Sequence, residues 1–450
     1  MKSLSFCARR PHALILALLC LTLTAPSAIA QAQPPAPQPL VKLGPIPAAA
    51  QFDSTGHLNV DAATRAYLDT IPADKRLASN KYFEGGYWLL LWDAVYTIAI
   101  MMLLLFTGAS VRMRDLAVRL TRFKWLQAWI YFAEFLIITT LLGLPLNLYT
   151  GYYREHIYNQ SHQAFSGWAR DQAIGDVVGL ILGGIAVATL YAIVRKLPRT
   201  WHIWGSITLI VFMTIGVMIA PVYIAPLFNT YTPLNNPEVT VPILKMAHAN
   251  GVNVDKIYED NASKQSTQVS ANVSGVFGTT RITLNDNLLH QASLEEIEDT
   301  AGHEMGHYVL NHVAKSICEF TILILILFAL LRFWLLSMDR RWSARWGTTG
   351  LADPAMFPAV VLAFTVLGLL TTPITNTMSR TQEYEADMYG LNAARQPDGS
   401  TQLDLKLGQY RKLEPGPVEE FLFYDHPSGY VRIHAAMQWK SENQHTTPGY

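Results

Sequence analysis

Cysteine is nearly absent. The chain has 3 cysteines among 450 residues: Cys7 and Cys20 near the N-terminus, and Cys318 alone. That excludes a disulfide framework and any cysteine-based zinc site. Charge is scarce too. Asp, Glu, Lys and Arg make up 15% of the residues and sum to a formal net charge of zero, which leaves no basic surface for nucleic acid. No internal repeat is evident, which excludes solenoid architectures. What is plentiful is apolar residue, 50% of the chain with a positive mean hydropathy, the composition of a membrane protein.

Residues 1–30 have a basic start (Lys2, Arg9, Arg10), an apolar run from Ala13 to Leu23 and a small-residue ending, Ala28-Ile29-Ala30. This layout predicts a secretory signal peptide cleaved after Ala30, the other reading being a first transmembrane helix. The Pro- and Ala-rich stretch that follows reads as an extended linker, with a polar segment completing residues 31–86. About 20 apolar residues cross a bilayer core. Six stretches come close to that length: Trp88–Thr107, Ala128–Leu146, Val177–Val194, Gly205–Ile224, Ile317–Ser337 and Met356–Ile374. They divide the chain into a four-span membrane domain (87–224), a polar region (225–316), two further spans (317–374) and a polar tail (375–450).

Alternate loops carry the positive charge. Arg112, Arg114, Arg119, Arg122 and Lys124 fill one, Arg195, Lys196 and Arg199 the next, and Arg340, Arg341 and Arg345 the third. Positive loops stay in the cytoplasm. Both polar regions therefore face the other side, which the signal peptide makes the periplasmic face of a bacterial inner membrane. Within residues 225–316, PEVTVPILKMAHANGV reads as a helix, and KIYED, STQVSANVSGVF and TTRITLND as short strands. Ser293-Leu-Glu-Glu296 is a capping box. It opens a helix expected to run through HEMGH and on into the span at Ile317.

HEMGH carries the chemistry. Residues four apart share a helix face, so His303 and His307 can offer two imidazole nitrogens to one ion, with Glu304 beside them. Zinc suits such ligands and keeps one position for a water, whose pKa it lowers toward ~7. Glu304 is then placed to take that water's proton as general base. Gly302 and Gly306 are unfavourable inside a helix and predict close approach of a substrate or a neighbouring strand. A third ligand must lie elsewhere. The metzincin pattern requires Gly at 310 and His at 313, where this chain has Leu310 and Val313. His312 is expected to point away from the metal face, either solvated or supporting a ligand, and not to ligate. The tail offers NTMSRTQEYEADMYG, in which Glu383 and Asp387 are four apart on a predicted helix. Glu383 could ligate, and Asp387 could accept a hydrogen bond from a ligating histidine. Glu385 faces elsewhere and reads as surface.

These residues resemble the Ste24-like integral-membrane zinc metallopeptidases, the CAAX prenyl protease 1 group of peptidase family M48. The resemblance rests on His303, Glu304 and His307, then on Asn376, Ser379, Arg380, Glu383, Ala386 and Asp387, and on His426, Pro427 and Arg432. YIAPLFNTYTPL and GLPLNLYTGYYREHIYNQS are similar to other segments of the family. It implies one Zn2+ per chain held by His303, His307 and Glu383, with Glu304 as base. It also implies that His426 steadies an oxyanion and Arg432 buttresses the ligand helix. Ser270-Ala271 stands where the family usually has Asn-Ala before an edge strand that pairs with substrate. The implied fold is mainly α, with six membrane helices plus the signal or seventh helix, and a zincin-type α+β catalytic domain with HExxH on a helix. The implied activity is endopeptidase cleavage of peptide or protein substrates at the bilayer, CAAX-type processing among them. The competing class is an idle scaffold or transporter that keeps the metal fold.

Overall fold

The structure, a computed structural model, describes residues 40–274 and 280–444. The predicted signal peptide lies outside the described residues. Among the described residues, six helices are long and apolar enough to cross a membrane. The N-terminal ones are α2 (Ala73–Phe106), α4 (Lys124–Leu148), α5 (Phe165–Lys196) and α6 (Trp201–Ile219), preceded by the short α1 (Val60–Leu68). An amphipathic α3 (Ala109–Leu120) joins α2 to α4. Both α4 and α6 run on through π-helical turns, to Ile157 and Phe228.

The polar region begins with β1 (Tyr231–Pro233), α7 (Pro237–Ala249), β2 (Ile257–Asp260), β3 (Ala271–Ser274) and β4 (Arg281–Asn285). Then come α8 (Asp286–Gln291), α9 (Leu294–Val309) with the HEMGH residues, and the long spans α10 (His312–Trp346) and α11 (Phe357–Ala394). The tail folds as α12 (Pro397–Leu407), α13 (Pro417–Phe423) and α14 (Gly429–Asn443). The small sheet has the order β1-β2-β4-β3, with β2 and β4 parallel and the outer pairs antiparallel. β3 is thus an edge strand, with Asn272 opposite Thr283 and Ser274 opposite Arg281. Buried Ile282, Leu284, Ile243, Ile297 and Met305 join sheet, α7 and α9 in one core. Large apolar side chains such as Phe333 (73% exposed) and Leu370 (68% exposed) stand exposed on the spans, as helices in lipid allow.

Two expectations are corrected. The stretch read as linker and polar segment is folded from residue 40 onward. Tyr67 and Leu68 are fully buried against Leu391, Ile433 and Met437, and each such burial is worth ~1.5–3 kcal/mol. Gln402 grips both backbone groups of Gly44, at 2.7 and 3.0 Å. The first membrane helix then starts at Ala73, well before the apolar run.

The second correction concerns the helix that carries HEMGH. Its capping box forms as read, with Ser293 N–H donating to Glu296 at 2.6 Å. It does not continue into the span. α9 closes on Leu310, and Asn311 takes a left-handed φ of 55°, which an asparagine tolerates, before α10 starts afresh at His312.

Candidate metal centre

α9 and α11 touch backbone to backbone, and that contact builds the site. An added Cβ at Gly302 would meet the backbone of Gly390 at 3.2 Å, and one at Gly306 would meet Ala386 Cα at 3.1 Å. Gly390 in turn lies against the His303 backbone, where a Cβ would come within 2.9 Å of its nitrogen. Gly302 and Gly306 thus admit a neighbouring helix, where a substrate or strand was expected. At this spacing Glu383 and Asp387 on α11 face His303 and His307 on α9.

Ligand atoms of His303, His307 and Glu383 all lie within 4.8 Å of one another. His303 Nε2 is 3.3 Å and His307 Nε2 3.6 Å from the Glu383 carboxylate, and the two Nε2 atoms are 3.0 Å apart. Two imidazole nitrogens and one carboxylate oxygen, converging with a side left open, are a donor set that suits a divalent ion of borderline softness. Burial would lower the His303 pKa. Its hydrogen bonds to Asp387 and Glu383 overcome that and raise it to about 10. The pocket therefore favours a cation strongly. Burial also raises the Glu304 carboxyl above its usual range, against the neighbouring histidines and a hydrogen bond from the Val273 backbone on β3. A carboxyl raised in this way holds a proton more readily than an ordinary glutamate, which suits a group that must accept one.

Supporting groups surround the ligands. His303 Nδ1–H donates to Asp387 at 2.8 Å. Arg432 Nε donates to the other Asp387 oxygen at 2.9 Å, and its Nη1 pairs with buried Asp404 at 3.0 Å. His426 Nε2 stands 3.3 Å from Glu383, and its Nδ1 lies 2.8 Å from Asp425. The tail motif holds this loop in place. Arg380 donates to the Glu420 and Tyr424 carbonyls and Asn376 to that of Leu422, while Ala386 fits against Gly306.

His312 takes the supporting role rather than the solvated one, and Glu385, its side chain half-exposed as expected of surface, reaches it. His312 is buried, with Nδ1 2.9 Å from His307 Nδ1 and Nε2 3.1 Å from Glu385. Each of these two histidines thus has its outer nitrogen engaged, His303 by a carboxylate and His307 by a histidine that a carboxylate holds in turn. A continuous helix would have carried His312 away from the metal; the turn at Asn311 returns it. Asn311 at a helix end was the signal that could have revealed this. Asp299 and Asp404 also went unread, because single acids in helical patterns look like solvated surface. Both are buried beside Arg432: burial, with Asp404 and Asp387 nearby, pushes Asp299 up to about 7, and burial holds Asp404 at about 6 against Arg432.

Residues 233–440 match the model of peptidase family M48, and residues 58–230 match that of the CAAX prenyl protease N-terminal domain, described as five membrane helices. Among the described residues, four helices of spanning length fall in that second interval. The chain is 29% identical over 344 residues to YhfN of Bacillus subtilis, an uncharacterized metalloprotease, covering 76% of this chain and 80% of that one. It is 26% identical over 325 residues to CAAX prenyl protease 1 of Saccharomyces cerevisiae, covering 68% and 71%. Among solved structures it resembles S. mikatae Ste24p, with a TM-score of 0.70 at 23% identity over 82% of this chain and 90% of that one.

Proposed function

The chain belongs to peptidase family M48, in its Ste24-like group of membrane metalloproteases, and on that premise we propose that it is a zinc endopeptidase of membrane or exported proteins. The observation that carries this reading is the convergence of His303, His307 and Glu383, with the buried, raised carboxyl of Glu304 alongside. Those three residues would hold the zinc, which would supply a Lewis acid and an acidified water. Glu304 takes a proton at its carboxylate and returns it to the leaving amine. The open edge of β3, from Ser270 toward Gly275 (Gly275 itself outside the described residues), hydrogen-bonds an extended substrate backbone. His426, beside Glu383, donates to the developing oxyanion. Asp387 and Arg432 orient His303, and His312 with Glu385 orients His307. The idle-scaffold alternative has no support in the family matches, and a scaffold would have no use for Glu304.

Elemental analysis of the purified protein is expected to find one zinc per chain. Chelation should abolish hydrolysis of unstructured peptides, and added zinc should restore it. Zinc-free protein whose hydrolysis survives chelation would overturn the reading. The loop charges further support a catalytic side on the periplasmic face of a bacterial inner membrane. Alkaline phosphatase fused after Tyr450 should then be active in a bacterial host; a stable but inactive fusion reverses the orientation.

A further inference from the structure

A cavity of about 460 Å³ opens beside the metal ligands and runs down between α6, α10 and α11. His307 and Glu383 form its mouth, and Ile210, Met213, Phe320 and Met378 line it with apolar surface. One ionisable group in its wall is out of character. Glu319, early in the apolar run of α10, accepts a hydrogen bond from Gln382 Nε2 at 2.8 Å. Gln382 is itself buried and oriented by Ser316, whose hydroxyl donates to its carbonyl oxygen at 2.9 Å. The amide is thereby fixed with its N–H toward Glu319.

No cation among the described residues pairs with Glu319. The helical partner one turn back, Lys315, would be the ordinary choice. It is turned instead to Glu385, 2.9 Å away, in the group that supports His307. A carboxylate in an apolar wall without a counter-ion is costly and points to a function. It faces a space that begins at the reacting centre.

We propose that this cavity is a specificity pocket for a lysine or arginine side chain adjoining the scissile bond, read by Glu319. The inference rests on the peptidase reading above. A lysine or arginine stem of three or four methylenes matches the apolar walls, and its charged end meets the waiting carboxylate. A purely aliphatic side chain of the same length would bury Glu319 without a partner, so the pocket discriminates against it.

The test uses the full-length protein in lipid nanodiscs with paired fluorogenic peptides. Members of a pair differ only in one residue flanking the cleaved bond, lysine or arginine against the neutral isosteres norleucine or citrulline. The cationic member is expected to be cleaved with kcat/KM ~10-fold higher or more. Glu319→Gln should remove that preference by slowing the cationic peptides and relieving the penalty on the norleucine peptide, whose cleavage at or above the wild-type rate reports an intact fold. Equal rates in the wild type, or a preference that persists in Glu319→Gln, overturns the proposal. Peptide affinity measured on Glu304→Gln protein separates this from failure of the peptidase reading. There a ~10-fold tighter grip on the cationic peptide supports the pocket even where no hydrolysis is seen, and equal affinities sink it.

Discussion

Glu304→Gln is expected to lower kcat for peptide hydrolysis by ~10²- to 10⁴-fold while zinc content is unchanged. The substitution keeps the shape of the side chain and an oxygen that can accept from the Val273 backbone, so β3 and α9 stay in register. The three metal-facing groups, His303, His307 and Glu383, are untouched. What is lost is the ability to take a proton. Each tenfold loss corresponds to about 1.4 kcal/mol of transition-state stabilisation, so the predicted fall is ~3–6 kcal/mol in a step that ground-state binding does not share. KM should therefore move little. A variant with wild-type kcat would remove Glu304 from the mechanism, and one without zinc would show that its role is structural.

Arg432→Leu is expected to destabilise the catalytic domain by ~3–5 kcal/mol, the usual result of removing one partner from a buried ion pair. Arg432 is the cation set among Asp387, Asp404 and Asp299, and all three acids are buried. Without it the acids repel one another, and Asp387 loses the partner that holds it toward His303. Acid should relieve the defect. In the wild type burial already raises Asp299 to about 7 and Asp404 to about 6. A carboxyl whose pKa is higher in the folded than in the unfolded chain binds more protons when folded, so the fold gains stability as pH falls through that value. In the variant that gain grows, and lowering pH from about 8 to about 5 should recover part of the lost thermal stability before other carboxylates titrate. Melting curves across that range, read alongside zinc affinity, check this. A variant as stable as wild type, or one further weakened toward pH 5, contradicts the arrangement.

How far the sequence could be read depended on whether the information was periodic. Spans announce themselves because lipid demands ~20 apolar residues in a row, and all six stretches fall within helices of spanning length. Ser293 and Glu296 announce the start of α9 because a capping box needs only local hydrogen bonds. Its end was misread, since a single left-handed residue such as Asn311 interrupts a helix without disturbing the hydrophobic pattern. Residues 40–51 misled for a similar reason. Their Pro and Ala composition is that of a linker, and only the tertiary structure holds Gly44 against Gln402 and buries Ala50 in the core that Tyr67 and Leu68 share with Leu391, Ile433 and Met437.

By itself the sequence determined that the chain lives in a membrane, which helix faces carry His303, His307, Glu383 and Asp387, and that Glu304 stands among them. These follow from spacing along one helix, where residues four apart meet whatever lies around them. The tertiary structure alone decided what the remaining groups do. It brought α11 against α9 through Gly302, Gly306 and Gly390, turned His312 back toward His307, gathered Asp299 and Asp404 around Arg432, and left Glu319 facing the cavity while Lys315 pairs with Glu385. Each of these depends on close approach between segments far apart in the chain, and no local pattern encodes that approach.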